Sequence, residues 1–586
     1  MTSRKPRLPA NWLVCVIVTL NVYQPMLDRR SLLLGGAYSL AANAAAAGLE
    51  SPRNPTSGSH DPLDEFVNRY LHEMNAPGLT LALANRTGTA RIASFGLADL
   101  EAQTPLTPEM RFQIGSISKS FVALTLLQLR DEGKLDLDRP ILEYLPWLPI
   151  ETAYGTVTVH HLLTHTSGLP DSLNLFSSDP AWRHVQGFKP GEHFYYCNVG
   201  FSILGHLISK LDGRPWPRAI HERVMSPLGM TASRALIDDD TRPYCPSSYK
   251  PFYEDRPYPR HGRLAKAEDL VFDDAAGGVL STPADMARYM RMLLNRGVAE
   301  RGRIVSEDGF ALFSKPYIKA PEFSSTASYG YGIAIDQLGG HTVLRHTGGM
   351  DSYASAFMVD LDGGVAAFAS INAMQGFRPN PAVEYAVRLM GADLQQSAVV
   401  NPPSIPDVSE VENASDYAGI YTSPAGAQLE VRINGKRLEL VADRETNPLE
   451  SAGPDSFISI GPKYYAYPLL FGRTPDKQVV ELAYGSEWYP NDRYSGPKDF
   501  PVSSDLKGFT GYYRADSAWV GTVRVVLRKG QLWLDGAAPL EPMGGALFRV
   551  TGRPVAIERA EFRRIIDGRA RILNLSGVDL WKIERG

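Results

Sequence analysis

Residues 112–129 read FQIGSISKSFVALTLLQL, and Lys119 is the only charge between Arg111 and Arg130. The apolar and small residues that follow predict a buried helix, and lysine is rarely buried without a partner. Ser116 and Lys119 are three residues apart, which on a helix places them on the same face one turn apart, in contact. A serine hydroxyl is a poor nucleophile until a neighbouring base takes its proton. Lysine is normally protonated, but burial and the positive end of a helix dipole both disfavour its ammonium form. The start of a buried helix is therefore a good place to make a basic lysine. The alternative is a capping serine beside a snorkelling lysine.

The spacing S-x-x-K occurs four times, at Ser116, Ser247, Ser495 and Ser504. Ser247 lies between Pro246 and Pro251, Ser495 is followed by Pro497, and Ser504 sits in a hinge between two β-rich units. Only Ser116 opens a long apolar run. Its backbone N–H, unpaired at a helix start, is free to help hold an oxyanion.

Two further stretches carry chemistry. FYYCNVGFSILGHLI holds Tyr196-x-Asn198 before another apolar helix. A phenol whose pKa is lowered from about 10 by a nearby ammonium can relay a proton, and an asparagine can orient both a lysine and a substrate carbonyl. RHTGGMDSYAS holds His346-Thr347-Gly348 at the end of a strand, and Gly349 lets a ligand approach the backbone.

The rest of the chain bounds these readings. With 586 residues, two or three domains are expected. A formal charge of −4 gives no electrostatic basis for nucleic-acid binding. Three cysteines, Cys15, Cys197 and Cys245, exclude a disulfide framework and leave at most one Cys197–Cys245 bridge open. His161 and His165 are i, i+4 on an expected helix, but the glutamate of a zinc peptidase is missing between them, so no metal is expected. There is no G-x-S-x-G elbow, and the acidic pair Asp273–Asp274 reads as a loop cap rather than a glycosidase dyad. No cofactor is implied.

Residues 1–47 have the layout of a twin-arginine-type export signal, with Arg29-Arg30 before an apolar stretch and small residues near Ala45–Ala47. Translation is expected to start at Met26, and the chain to be exported, with a periplasmic location. An uncleaved anchor over residues 12–47 is the alternative. A linker covers 48–60. Residues 61–395 mix helices and strands, a second linker covers 396–415, and two alternating β-rich units follow at 416–500 and 506–586. The two units resemble each other at an offset of about 91–92 residues: Gly419 matches Gly511, and Pro448-Leu449-Glu450 matches Pro539-Leu540-Glu541. Leu429, Val431 and Ile433 alternate inward in the first, and Val523, Val525 and Leu527 in the second, predicting a small antiparallel barrel in each.

Ser-x-x-Lys, Tyr-x-Asn about 80 residues later and His-x-Gly about 150 later, in that order, resemble the penicillin-recognising serine hydrolases, more narrowly the class C β-lactamase-like group. That group includes D-alanyl-D-alanine peptidases, D-aminopeptidases and esterases, and the β-tandem is similar to the tail of D-aminopeptidases. The resemblance covers roughly 61–395. It implies an α/β (α+β) catalytic domain with an antiparallel sheet and a helical subdomain. It also implies Ser116 as nucleophile, Lys119 as base, Tyr196 as proton shuttle and Asn198 as the residue positioning the substrate amide. His346, Thr347, Gly348 and Gly349 would line the substrate site, with the oxyanion hole formed by the N–H groups of Ser116 and Gly349. His346 replaces the lysine of the usual Lys-Thr-Gly, a weaker carboxylate anchor, which favours ester or D-amino-acid amide substrates over D,D-carboxypeptidase or β-lactamase use. The alternative, a penicillin-sensor-like protein that is acylated without turnover and contacts the cell envelope through its β-tandem, carries the same motifs.

Overall fold

The computed structural model describes residues 61–584 apart from 173, 178, 377, 396–398 and 517–520. The expected export signal and Met26 start lie outside these residues, as does the linker up to residue 60. Among the described residues, no helix is long and apolar enough to cross a membrane.

The region from residue 61 to 395 is built on a nine-stranded antiparallel sheet between two helical layers. Its helices include α1 (Pro62–Glu73), α2 (Ser118–Asp131), α3 (Val159–Leu163), α4 (Asn198–Asp212), α5 (Pro283–Leu294) and α6 (Asn380–Gln395). The strands of this sheet are β1 (Gly78–Asn85), β2 (Thr89–Asp99), β3 (Thr104–Pro105), β4 (Ile318–Lys319), β5 (Ser328–Tyr329), β6 (Ala334–Leu338), β7 (His341–Gly349), β8 (Ala354–Asp360) and β9 (Val365–Ile371). They run in the order β4-β5-β6-β7-β8-β9-β1-β2-β3. β1 pairs with β2, with Leu81 opposite Ala93. β1 also pairs with β9, so segments some 290 residues apart form the middle of one sheet.

The two-residue period of β1 divides the core. Leu79, Leu81 and Leu83 join the apolar faces of α1 and α6, while Ala82 and Ala84 face the cluster containing α2 and α5. The α1 face is formed by Leu63, Phe66, Val67, Tyr70 and Leu71, all buried. Strands β8 and β9 are buried along their full length because helices cover both sides. Helix α5 is capped by the Thr282 side chain, which accepts from the Asp285 N–H, with Pro283 in its first turn.

The tail forms two all-β units. The first has eight strands in consecutive order, from Gly419–Thr422 to Glu487–Pro490, and is an open barrel-like sheet rather than the closed barrel expected. The second is a closed barrel, because its first strand, Gly511–Arg514, pairs with its last, Val578–Ile583. The repeat read from the sequence is structural: the Tyr421 hydroxyl donates to the Tyr417 carbonyl, and the Tyr513 hydroxyl to the Phe509 carbonyl. The inward alternation holds for Leu429, Val431, Val523 and Val525. It fails at Ile433, which is exposed because it stands next to the Asn434–Arg437 turn, beyond the end of the core.

Candidate active site

The helix expected from Ser116 begins two residues later. Gly115–Ile117 form a 3₁₀ turn, and α2 continues from Ser118. The tighter turn still brings the two side chains together, with Lys119 Nζ 3.0 Å from Ser116 Oγ. The turn is held against the end of β7. Gly115 has φ +54, and a Cβ on it would lie 2.7 Å from the Gly349 nitrogen. A Cβ on Gly348 would lie 1.8 Å from the Ile114 carbonyl oxygen, so no side chain fits there.

Lys119 is fully buried. Its amine lies 2.8 Å from Asn198 Oδ1 and 2.8 Å from the Ala276 carbonyl oxygen, besides Ser116. Burial lowers its pKa to about 7, while Asp171 and Asp274 oppose the shift. A neutral amine has two N–H donors and one lone pair. Two carbonyl-type acceptors take the donors, which leaves the lone pair facing the serine hydroxyl. The arrangement is that of a base poised to accept the Ser116 proton.

Asn198 is oriented in turn. Its backbone N–H and side-chain Nδ2 donate to Asp171 Oδ1 at 2.8 and 3.2 Å, so Oδ1 is the end that faces the lysine. Asp274 accepts from the Ser202 hydroxyl at 2.6 Å and the Ala276 N–H at 2.8 Å, fixing the carbonyl that Lys119 uses. The expected loop cap is therefore real, and it also serves the site.

The Tyr196 hydroxyl is buried and faces Ser116. The Lys119 amine stands 4.9 Å from its ring centre. The pKa lowering expected from a neighbouring ammonium is not what the structure gives. Burial raises it above the ordinary phenol value, against a lowering contribution from Ser116. Any relay through Tyr196 uses the neutral phenol.

His346 is buried and doubly engaged. Its Nδ1 lies 2.6 Å from the Thr347 carbonyl, which can only accept, so Nδ1 carries the hydrogen and Nε2 accepts from the Tyr329 hydroxyl at 2.9 Å. Burial, with Lys119 nearby, lowers its pKa to about 3. Rather than being partly charged, it is a neutral spacer. His161 and His165 do not share a helix face, because α3 stops at Leu163 and His165 has φ +56. His161 Nδ1 closes the α3 cap with Thr158, and His165 Nδ1 accepts from the Cys197 N–H at 3.0 Å. Cys197 and Cys245 are both free thiols.

Ser116, Tyr196, Asn198, His346, Thr347 and Gly349 line one cavity of about 1010 Å³. Arg378 lines it too, donating to the Gly348 carbonyl at 2.7 Å. One wall comes from the second barrel, through residues 553–559. The motifs did not point to Asp171, Asp274, Arg378 or this wall. Single carboxylates and a single arginine carry no spacing signal, and the wall depends on how the domains dock.

The Beta-lactamase family model matches residues 63–392, more than half of the chain. The chain belongs to the β-lactamase family. It is thus a serine hydrolase of the group that includes the penicillin-binding proteins. The chain is 29% identical over 388 residues to penicillin-binding protein 4 of Amycolatopsis lactamdurans, covering 63% of this chain and 99% of that one. It is 31% identical over 194 residues to esterase EstB of Burkholderia gladioli, covering 29% of this chain and 49% of the esterase. The octameric penicillin-binding protein homologue from Pyrococcus abyssi superposes with a TM-score of 0.52 at 25% identity, covering 73% of this chain and 98% of the other.

Proposed function

We propose that this β-lactamase-family chain is an exported hydrolase that turns over small esters or D-amino-acid amides through a Ser116 acyl-enzyme. The observation that carries the reading is the buried Lys119 amine, whose two carbonyl-type partners leave its lone pair for Ser116.

Ser116 Oγ attacks the acyl carbon as its proton passes to Lys119 Nζ. The tetrahedral oxyanion is held by the N–H groups of Ser116 and Gly349, which the close approach of Gly115 to Gly349 brings side by side. The lysine proton returns through the Tyr196 hydroxyl to the leaving alcohol or amine, and the acyl-enzyme forms as the carbon–leaving-group bond breaks. Water then attacks the ester, giving its proton to the same base, and Ser116 Oγ is reprotonated as it leaves. Asn198 donates no charge but orients the amine and the substrate carbonyl.

Neutral His346 supports the ester or amide preference, because no protonated histidine stands ready for a substrate carboxylate. Similarity to both a penicillin-binding protein and an esterase is consistent with that range.

The test compares wild type and Ser116→Ala on p-nitrophenyl acetate and butyrate, nitrocefin and D-alanine p-nitroanilide, with intact-mass spectrometry after quenching. Turnover and a covalent adduct, both lost in Ser116→Ala, support the proposal. A stable adduct without turnover supports the sensor reading instead. Equal activity in the mutant overturns both.

A further inference from the structure

The second barrel reaches the lysine's surroundings through one carboxylate. Glu558 precedes the strand Arg559–Ile566, and its Oε1 accepts from the Asp171 N–H at 2.8 Å, although the two residues are 387 apart in sequence. The same oxygen accepts from the Tyr195 hydroxyl at 2.7 Å, and Oε2 accepts from the Ser576 hydroxyl. Glu558 thus grips both chain segments that flank Asn198: the loop bearing Asp171, and the run from Tyr195 into α4.

Those segments have little regular structure of their own. Among the described residues from 164 to 197, the one strand is the two-residue His184–Val185. Yet Asp171 decides how Asn198 is turned. With Nδ2 tied to Asp171 Oδ1, Asn198 must present Oδ1 to Lys119 at 2.8 Å. A flipped amide would set N–H against N–H and turn the lysine lone pair off Ser116.

We infer that Glu558 is a positioning residue for Lys119, acting from the second barrel through Asp171 and Asn198. This role rests on the acyl-enzyme reading above. The barrel is then part of the catalytic apparatus as well as a wall of the cavity, and through Glu558 it sets the rate of acylation. The buried bonds to Asp171 and Tyr195 need only an acceptor at the Oε1 position, which an amide also supplies.

The full chain, wild type and variants, is mixed with p-nitrophenyl butyrate in a stopped-flow instrument, and the p-nitrophenolate released during acylation is followed. Glu558→Ala is expected to lower the saturating acylation rate at least tenfold, with the half-saturating concentration within twofold. Glu558→Gln, which keeps the acceptor, restores the rate to within threefold. Arg563→Ala removes a contact to Asp179 at the same domain junction, at 3.5 Å, without touching the relay, and acylates like wild type. Should Glu558→Ala not fold, Glu558→Asp, one methylene shorter, is expected to show the same split.

The positioning role is overturned if Glu558→Ala acylates within twofold of wild type or loses only substrate affinity. It is equally overturned if Glu558→Gln or Arg563→Ala falls as far as Glu558→Ala. Ser116→Ala in the same instrument separates the two claims. If it releases no p-nitrophenolate while Glu558→Ala acylates normally, only the positioning role fails. If it acylates normally, the acyl-enzyme reading fails and takes the positioning role with it.

Discussion

Lys119 Nζ lies 3.0 Å from Ser116 Oγ and is held on its other sides by one side-chain amide and one backbone carbonyl, with the lysine side chain fully buried. The amine is fixed by neutral acceptors, with the two nearest carboxylates, Asp171 and Asp274, each one bond further out. That arrangement keeps the lysine near neutrality without an ion pair. A carboxylate in direct contact would hold it protonated.

The first consequence is a pH profile. The base must be unprotonated, and its pKa is lowered to about 7 from the usual 10.5. The rate of acylation therefore rises with pH through about 7 and levels off above it. A kcat/KM profile on p-nitrophenyl butyrate, corrected for uncatalysed hydrolysis, checks this. A limb near pH 10 would mean that burial does not tune Lys119. Asp171→Asn removes a charge that raises this pKa, so the limb moves to lower pH.

Tyr196→Phe removes the relay and keeps the ring. General acid–base groups typically contribute about 10²–10⁴-fold. A fall of about that size in kcat is expected on D-alanine p-nitroanilide, with a smaller fall on p-nitrophenyl esters, whose leaving group needs no proton. Because burial raises the phenol pKa, wild type shows no alkaline loss of activity below about pH 10 from this residue.

Gly348→Ala places a methyl carbon 1.8 Å from the Ile114 carbonyl oxygen, backbone against backbone. The 3₁₀ turn and β7 must separate, which moves the Ser116 and Gly349 N–H groups apart. A displacement of about 1 Å at such a site costs about 10²-fold, so kcat/KM should fall at least that far. Thermal melting reports the accompanying strain. Near-wild-type activity would show that the two N–H groups are not the oxyanion donors.

Arg256 lies between the rings of Tyr253 and Tyr465, at 4.3 and 4.4 Å from their centres, and so joins the catalytic region to the first β-unit. Arg256→Ala should cost about 1–2 kcal/mol at that junction. Faster limited proteolysis between 396 and 415, with little change in esterase activity, is the expected result.

How far the residues foretold the structure depended on the distance over which each signal acts. The Ser116–Lys119 contact was legible because helical periodicity is local, and it survived replacement of the first α-turn by a 3₁₀ turn. The alternation and repeat of the tail were legible for the same reason. His346 was visible as a motif residue, but its charge was not. That depends on Tyr329, on the Thr347 carbonyl and on burial, and none of these carries a signal in the spacing. The expected helix through His161 and His165 ended early because His165 takes up a left-handed conformation to meet the Cys197 N–H.

The sequence by itself determined which residues could do chemistry: a serine and lysine one turn apart, a tyrosine and asparagine at a helix start, and glycines where a strand end must approach another backbone. Only the tertiary structure decided their protonation and orientation. It buried Lys119 between two carbonyl-type acceptors, locked His346 neutral, and brought Glu558 from the far end of the chain onto the Asp171 loop. Desolvation and long-range hydrogen bonds do that work, and both depend on which surfaces meet, a property that no local stretch of residues contains.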